Sequence, residues 1–457
     1  MSLSWLADTD PSCCWAHRAW TEFAEWRRPE LTVVVLPVHG LANYGSSSSL
    51  DEEETSGAEI LSIAARQASR RFPVLVLPPL RHVLASKGEG LFGLDPETAL
   101  DLAMSIAKGV RDAGFLKLVL FNTSEVNESF ISTVAIDARA TLGIRPYIIN
   151  ARSLGLKIGD SDRREKQQEM VSGLCGLLEE IRLHKSVPLE APAASQDAEL
   201  GVAPTPFPVY RRFYLSAMSK QQILAIPHKE SARIVLPTGS IEQHGPHLPV
   251  GVDAILGQAL LDSALSRMDE GPPVFVLSPI TYGKSIEHTG FPGTLSIGAG
   301  ILRRQLHAIA REVSALGFCH LEVLNTHGGN AAVLDTTLRE IREEIDMHAS
   351  LLRYGFEPEL SPQEKTWGMH ADEWETSLML ACAPEWVRMD KAVCEYPAKL
   401  DDPGLLRPEK APATFAWLTS DLSKSGVIGD PTGATVEKGR RWLAAAGASI
   451  REHLSNA

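Results

Sequence analysis

Glu242, His244 and Asp253, three side chains able to ligate a metal, follow one short apolar run in the stretch Leu236-Pro-Thr-Gly-Ser-Ile-Glu242-Gln-His244-Gly-Pro-His-Leu-Pro-Val-Gly-Val-Asp253. The run Arg233-Ile-Val-Leu-Pro237 reads as a buried strand, and the Gly/Pro-rich residues after it continue neither strand nor helix. The three side chains are therefore expected on a loop leaving a strand end, where open α/β sheets bind their ligands. Taken alone they fit equally two solvated loop acids and a structural histidine. A second segment repeats the arrangement: Leu321-Glu-Val-Leu324 leads into Asn325-Thr-His327-Gly-Gly-Asn330 and then an apolar face at helical spacing, Val333, Leu334, Leu338, Ile341 and Ile345. The paired glycines permit an ion or a substrate to come near the main chain beside His327. A third cluster, Trp367-Gly-Met-His370-Ala-Asp-Glu373-Trp-Glu375, precedes an apolar helical stretch and by itself reads as a charged helix start.

Together these segments resemble the creatininase (creatinine amidohydrolase) family over about residues 210 to 450. The resemblance rests on Thr238-Gly-Ser-Ile-Glu-Gln-His-Gly-Pro-His-Leu-Pro, Tyr282-Gly-Lys-Ser-Ile-Glu-His288 with Phe291-Pro-Gly-Thr294, and Asn325-Thr-His-Gly-Gly-Asn330. It extends through His370-Ala-Asp-Glu-Trp-Glu-Thr-Ser377 and Ser425-Gly-Val-Ile-Gly-Asp430 with Glu437-Lys438. It implies a three-layer α/β/α fold around a mainly parallel sheet and a two-metal centre at the strand ends. Glu242, Asp253 and His327 would hold one ion, and His244 with the bridging Asp253 the other. Creatininase itself has a glutamate two residues past the histidine matching His327, where this chain has Gly329. Family members with glycine there carry a glutamate three residues after the histidine matching His370, which points to Glu373 as the missing ligand; its alternative is a solvated helix-start acid.

Imidazole and carboxylate ligands with no cysteine near any motif suit Zn2+, or Mn2+ or Fe2+, and two such ions per chain are expected. Two cations sharing a carboxylate clamp a water, lower its pKa towards ~7 and polarise a carbonyl. His370, with Glu373, is the expected catalytic group: an imidazole of pKa near ~6.5 can protonate a departing nitrogen at neutral pH. A purely structural histidine is its alternative. Tyr282 and His288 fall where the family builds its substrate pocket, and Trp367 and Trp374 are candidate aromatic walls, although aromatics beside a helix start are more often core. The expected activity is metal-dependent hydrolysis of a C–N bond in a small cyclic or non-peptide amide. A peptidase of redox-cofactor or peptide maturation is the enzymatic alternative, and a metal-stabilised binding or scaffold protein the non-catalytic one.

The N-terminal half repeats the plan at a shift of about 200 residues without the chemistry. Leu36-Pro37 matches Leu236-Pro237, Asn122-Thr-Ser124 matches Asn325-Thr-His327, and the positions of Glu242, His244 and Asp253 become Ala42, Tyr44 and Glu53. Residues 1–185 are thus expected to be a degenerate creatininase-like domain without metal ligands, residues 186–208 a Pro/Ala-rich linker, and residues 209–457 the catalytic domain. The fold class expected is α/β, two tandem domains each with a mainly parallel sheet. The acidic run Asp51-Glu-Glu-Glu54, in the loop of the degenerate copy, is expected to be solvated. Family enzymes are commonly oligomers, so a homo-oligomer is expected, with the inactive copy standing in for one protomer; the alternative is two domains packed independently. A net charge of −13 and isolated Arg pairs argue against nucleic acid. No segment approaches the ~20 apolar residues of a membrane span and none reads as a signal peptide, so a cytoplasmic protein with a small-molecule amide substrate is expected. The six cysteines show no metal-binding spacing and are expected to be free thiols.

Overall fold

The computed structural model of the chain describes residues 12–43, 48–84, 91–158, 163–184, 210–266, 273–397 and 413–455, with Leu6, Met268 and residues 406–408. The apolar runs become short strands buried on both faces, as parallel sheets require. Strands β1 (Val33–Val38), β2 (Val74–Val76), β3 (Lys117–Asn122) and β4 (Arg145–Asn150) form one four-stranded parallel sheet in the order β2-β1-β3-β4. Strands β5 (Arg233–Thr238), β6 (Val274–Val276), β7 (His320–Asn325) and β8 (His348–Leu351) form a second in the order β6-β5-β7-β8. The register repeats as well: Val33 faces Val74 and Lys117, and Arg233 faces Val274 and His320.

Helices α1 (Glu52–Ser69), α2 (Pro96–Asp112), α3 (Glu128–Asp137) and α4 (Arg163–Leu183) serve the first sheet. Their counterparts in the second half are α5 (Val252–Leu265), α6 (Ala299–Ala315), α7 (Ala331–Ile345) and α9 (Val436–Ser455), while α8 (Glu373–Cys382) has no partner among the described residues of the first half. Alternate residues of β5 and β7 feed two cores. Ile234, Leu236, Leu321 and Val323 join the large cluster, and Val235 and Leu324 join a smaller one with Leu260, Ile450 and Leu454. Each half is therefore an α/β unit of the expected class, and residues 186–208, the expected linker, lie outside the described residues.

The two halves do not pack independently. One hydrophobic cluster runs from Trp15, Leu36 and Phe115 through Ile234, Leu302 and Leu321. The seam is reciprocal, as an isologous two-fold interface would be. Val250 N–H donates to the Arg18 carbonyl and Gly251 N–H to that of Ala16, both at 2.8 Å. Exactly mirrored in numbering, Leu50 N–H donates to Met218 at 3.1 Å and Asp51 N–H to Ser216 at 2.9 Å. Tyr282 Oη donates to the Pro78 carbonyl at 2.6 Å, and His82 Nε2 lies 3.0 Å from that of Ser278. Helices α2 and α6 meet across this seam, with Arg304 Nε donating to Thr98 Oγ1 at 2.7 Å.

The acidic run at the start of α1 is not solvated. Asp51, Glu53 and Glu54 are all buried: Glu54 forms a two-pronged ion pair with the buried Arg81, and Glu53 accepts the Gly40 N–H at 2.6 Å. Its charges were drawn inward by available donors, which composition does not reveal. Because the seam supplies backbone partners and apolar cover to both halves, a chain beginning at Tyr210 is expected to self-associate or aggregate. Size-exclusion chromatography with light scattering checks this; a monodisperse monomer would contradict it.

Candidate metal centre

The ligand loop leaves β5 and is held open by backbone bonds that its prolines and glycines allow. Glu242 N–H donates to the Val250 carbonyl at 2.9 Å, and Gly245, with φ of +68°, turns the chain where a Cβ would strike Val427. Asp253 lies in the first turn of α5, and His327 follows β7. These elements converge at the strand ends, and Glu242, His244, Asp253 and His327 are all buried.

Their ligand atoms face one another. Glu242 Oε2 is 3.0 Å from His327 Nδ1, and Asp253 Oδ2 is 3.6 Å from the same nitrogen. On the other side, Asp253 Oδ1 is 3.4 Å from His244 Nε2. The two oxygens of Asp253 thus address different histidines, the disposition a bridging carboxylate needs. Ligands about 2.1 Å from a tetrahedral ion stand roughly 3.4 Å apart, which these separations bracket. Glu242 Oε2, His244 Nε2 and Asp253 Oδ2 are buried and make no hydrogen bond of ordinary geometry, and once deprotonated each has an atom to offer an ion.

The other nitrogen of each histidine is committed elsewhere. His244 Nδ1 lies 3.0 Å from the Glu242 carbonyl, and His327 Nε2 lies 3.0 Å from that of Lys284 and 3.4 Å from Glu287 Oε1. Such outer contacts set the ring orientation and the tautomer in metal sites. Gln243, between two of the acids and bases, holds the loop. Its N–H donates to Thr294 Oγ1 at 3.1 Å, its Nε2 donates to the Gly426 carbonyl at 3.0 Å and lies 3.0 Å from His288 Nδ1, and its Oε1 accepts the Gly245 N–H at 2.9 Å.

The structure brings Glu375, not Glu373, to this cluster. Glu375 Oε2 is 3.7 Å from His244 Nε2, and His244, His370 and Glu375 place donor atoms within 4.8 Å of one another. Glu373 instead pairs with Lys438 on α9. At about 100° per residue, positions two apart in a helix lie on nearly opposite faces, so only one of these acids can point inward. Asp372 caps α8 by accepting the Glu375 N–H at 3.1 Å, which fixes that phase. Gly329 also has a local reason: a Cβ there would collide with Glu287 Oε1, His327 Nε2 and the Lys284 carbonyl.

His370 is at the site, with Nε2 2.6 Å from the Gln243 carbonyl and Nδ1 3.7 Å from Glu242 Oε1. Its expected pKa near neutrality is not met. Burial, with His288 and His244 beside it, pushes the imidazole down to about 3. It stands neutral, with Nδ1 the nitrogen left free of a proton. Burial would push His244 and His327 down too, yet Glu375 and Asp253 around the first, and Glu242 around the second, hold both well above the usual imidazole range. Burial and the neighbouring Glu242 charge raise Asp253 to about 7.

Three expected pocket residues are elsewhere. Tyr282 is buried in the seam on Pro78, because its side chain turns from the strand end towards the other half. Trp374 packs among Tyr354, Phe356 and Trp442, and Trp367 is buried at the end of a short helix; neither lines the cavity. His288 does line it, with Nε2 3.6 Å from Glu242 Oε1. The cavity above the cluster measures about 600 Å³. Its outer wall is Ile286, Met369, Phe415, Trp417 and Leu418, and Lys284 and Glu287 form a 3.0 Å ion pair at its side. Residues 415–418 carry no periodicity or motif that marks them, whereas Glu375 was legible from the Asp372 cap.

A family model described as creatinine amidohydrolase matches residues 216–454. The mycofactocin precursor peptide peptidase of Mycolicibacterium smegmatis is 33% identical over 226 residues, 48% of this chain and 82% of that protein. The creatinine amidohydrolase of Pseudomonas putida is 31% identical over 185 residues, 36% of this chain and 70% of that one. A solved creatininase with Mn shares 24% identity at a TM-score of 0.43, covering 53% of this chain and 96% of that one. With its second half matched along most of the relatives' length, the chain belongs to the creatininase family of hydrolases.

Proposed function

We propose that the chain is a metal-dependent hydrolase of amide C–N bonds, with Glu242, Asp253 and His327 holding one divalent ion and His244, Asp253 and Glu375 a second. The carrying observation is the pair of Asp253 oxygens, each facing a different histidine across a gap of ligand-to-ligand size. Divalent ions bound there would supply Lewis-acid contact to a carbonyl and a water of lowered pKa. Zn2+ suits the ligand set, with Mn2+ or Fe2+ the alternatives. The residues around them do the rest. His370 stays neutral, its Nε2–H on the Gln243 carbonyl fixing the ring, so that Nδ1 is held beside Glu242 as a hydrogen-bond acceptor. Glu287 and the Lys284 carbonyl hold His327 in register.

The cavity favours an amide larger than a small ring. A volume of about 600 Å³ lies in the ordinary range for ligand pockets, and Ile286, Phe415 and Leu418 give its mouth an apolar wall. A short peptide with an apolar residue beside the cleaved bond uses that wall, in keeping with the peptidase relatives. A small cyclic or non-peptide amide is the second reading, supported by the creatinine amidohydrolase relative and by the 3-dehydro-scyllo-inosose hydrolase of Thermotoga maritima, 26% identical over 259 residues. Cytoplasmic location and assembly into a homo-oligomer belong to the same proposal; among the described residues no helix is long and apolar enough to cross a membrane.

Three measurements test this reading. Protein purified without chelator is expected to carry about two divalent ions per chain by plasma mass spectrometry and to cleave amides in a screen of apolar short peptides, lactams and formamides. Asp253→Ala should lose both metal and turnover; a wild type that stays empty after soaking in Zn2+, Mn2+ and Fe2+ would return the chain to the binding or scaffold class. Glu375→Ala should lose roughly half the bound metal and Glu373→Ala none, because one acid faces the cluster and the other Lys438. Equal loss in both variants would refute that assignment.

The third measurement concerns pH. His244, His327 and Asp253 hold protons near neutrality when no ion is bound, and they must release them to become ligands. Apparent metal affinity should therefore rise with pH, by about tenfold per unit for each proton displaced. Calorimetry in buffers of different ionisation enthalpy reads the released protons directly. Binding without proton release between pH 6 and 8 would be the contrary result.

A further inference from the structure

We infer that Trp15 and Trp20, in the half that has lost its own ligands, are positioning residues for the metal loop of the other half. No described residue of the first half lines the cavity, and the contacts that its described residues make with the loop come from behind it. Trp15 Nε1 donates to the Gly293 carbonyl at 2.9 Å, and Trp20 Nε1 donates to that of Ser425 at 2.8 Å. Each acceptor is one residue from a group that holds Gln243: Thr294 Oγ1 takes its N–H, and the Gly426 carbonyl takes its Nε2–H. Gln243 in turn lies between Glu242 and His244. The indoles therefore fix both anchors of the residue that separates two ligands.

Apolar contacts deepen the brace. The Trp20 ring meets Phe291 edge-on at 5.0 Å, and Phe23 packs so closely on Gly293 that any Cβ there would collide with it. The same segment of the first half takes the loop's far end through Val250 N–H and Gly251 N–H. Residues 240–253 are thus tied at both ends to residues 15–20.

The asymmetry of the seam gives the argument its direction. Backbone contacts across it are reciprocal at a shift of 200 residues, so the two-fold counterparts of Trp15 and Trp20 are Leu215 and Lys220. Neither has an indole N–H. Those two side chains belong to the half facing the loop that carries Ala42 and Glu53 in place of ligands. The indoles stand only where they face a loop with its ligands intact. The fold alone requires the backbone contacts on both sides, and it dispenses with the indoles on one.

The test uses the full chain with W15F, W20F and W26F, each of which keeps an aromatic ring and removes one N–H. Trp26 Nε1 donates to Thr32 Oγ1 at 2.8 Å within the first half, so W26F controls for loss of an indole hydrogen bond away from the loop. In metal-free protein, amide exchange over residues 241–251 should quicken by about fivefold or more in W15F and W20F, and stay unchanged in W26F. The dissociation constant for Zn2+ by chelator competition should rise by a similar factor in the first two alone. Trp20 is only partly buried, so W20F carries the test if W15F fails to fold. Unchanged exchange in W20F, or equal quickening in W26F, overturns the inference. The affinity arm rests on the hydrolase reading, but the exchange arm does not: a wild type that binds no Zn2+ defeats that reading and leaves the brace to be decided by exchange.

Discussion

The strand ends of the second half are organised around buried carboxylates that imidazoles, rather than lysines or arginines, face. Glu242, Asp253 and Glu375 converge below the surface, and a buried carboxylate costs several kcal/mol unless it is paired or coordinated. The nearest cationic side chains, Lys284 and Lys438, are already paired with Glu287 and Glu373. Imidazoles face the acids instead: His244 and His327 each commit one nitrogen to a backbone carbonyl and turn the other inward, and His288 and His370 stand 3.6 and 3.7 Å from Glu242 Oε1. From that arrangement follow the outward commitments of Gln243, the bare backbone at Gly329 and the left-handed Ala371, whose N–H reaches Glu375 at 2.6 Å.

What the sequence made legible was what depends on backbone and period. Strands β5 and β7, the helix face through Leu334, Leu338 and Ile341, and the convergence of Glu242, His244, Asp253 and His327 all follow from apolar runs broken by Gly and Pro. Misassignment came where side-chain direction decides. Glu373 and Glu375 are two residues apart, and only the phase of α8 tells which one turns inward. Tyr282, Trp367 and Trp374 are aromatic neighbours of motifs, but aromatic surface is drawn to the core or the seam unless something holds it in a cavity. The wall at Phe415 and Leu418 had no local signal, because its role depends on a chain segment returning from far away in sequence. The buried acids of α1 failed for the same reason, since Arg81 lies 27 residues from Glu54.

The first half has a packed core although Ala42, Glu53 and Ser124 stand where the second half has ligands. Position 253 of the second half corresponds to Glu53, whose longer side chain folds back onto Gly40 N–H and serves as an internal hydrogen-bond acceptor. Position 327 corresponds to Ser124, buried beside the same glycine. The sheet above these residues has the same strand order as that of the second half.

Fusion changes what the seam can become. In a homodimer every substitution near the two-fold axis appears twice, so a residue that improves one side is imposed on the other. Covalent joining frees the two sides to diverge, and it also supplies each with a partner at fixed stoichiometry, independent of dilution. A residue pair such as Trp15 and Leu215 can exist only under that freedom. The seam of this chain is therefore a surface on which two stretches of like backbone present different side chains to one another.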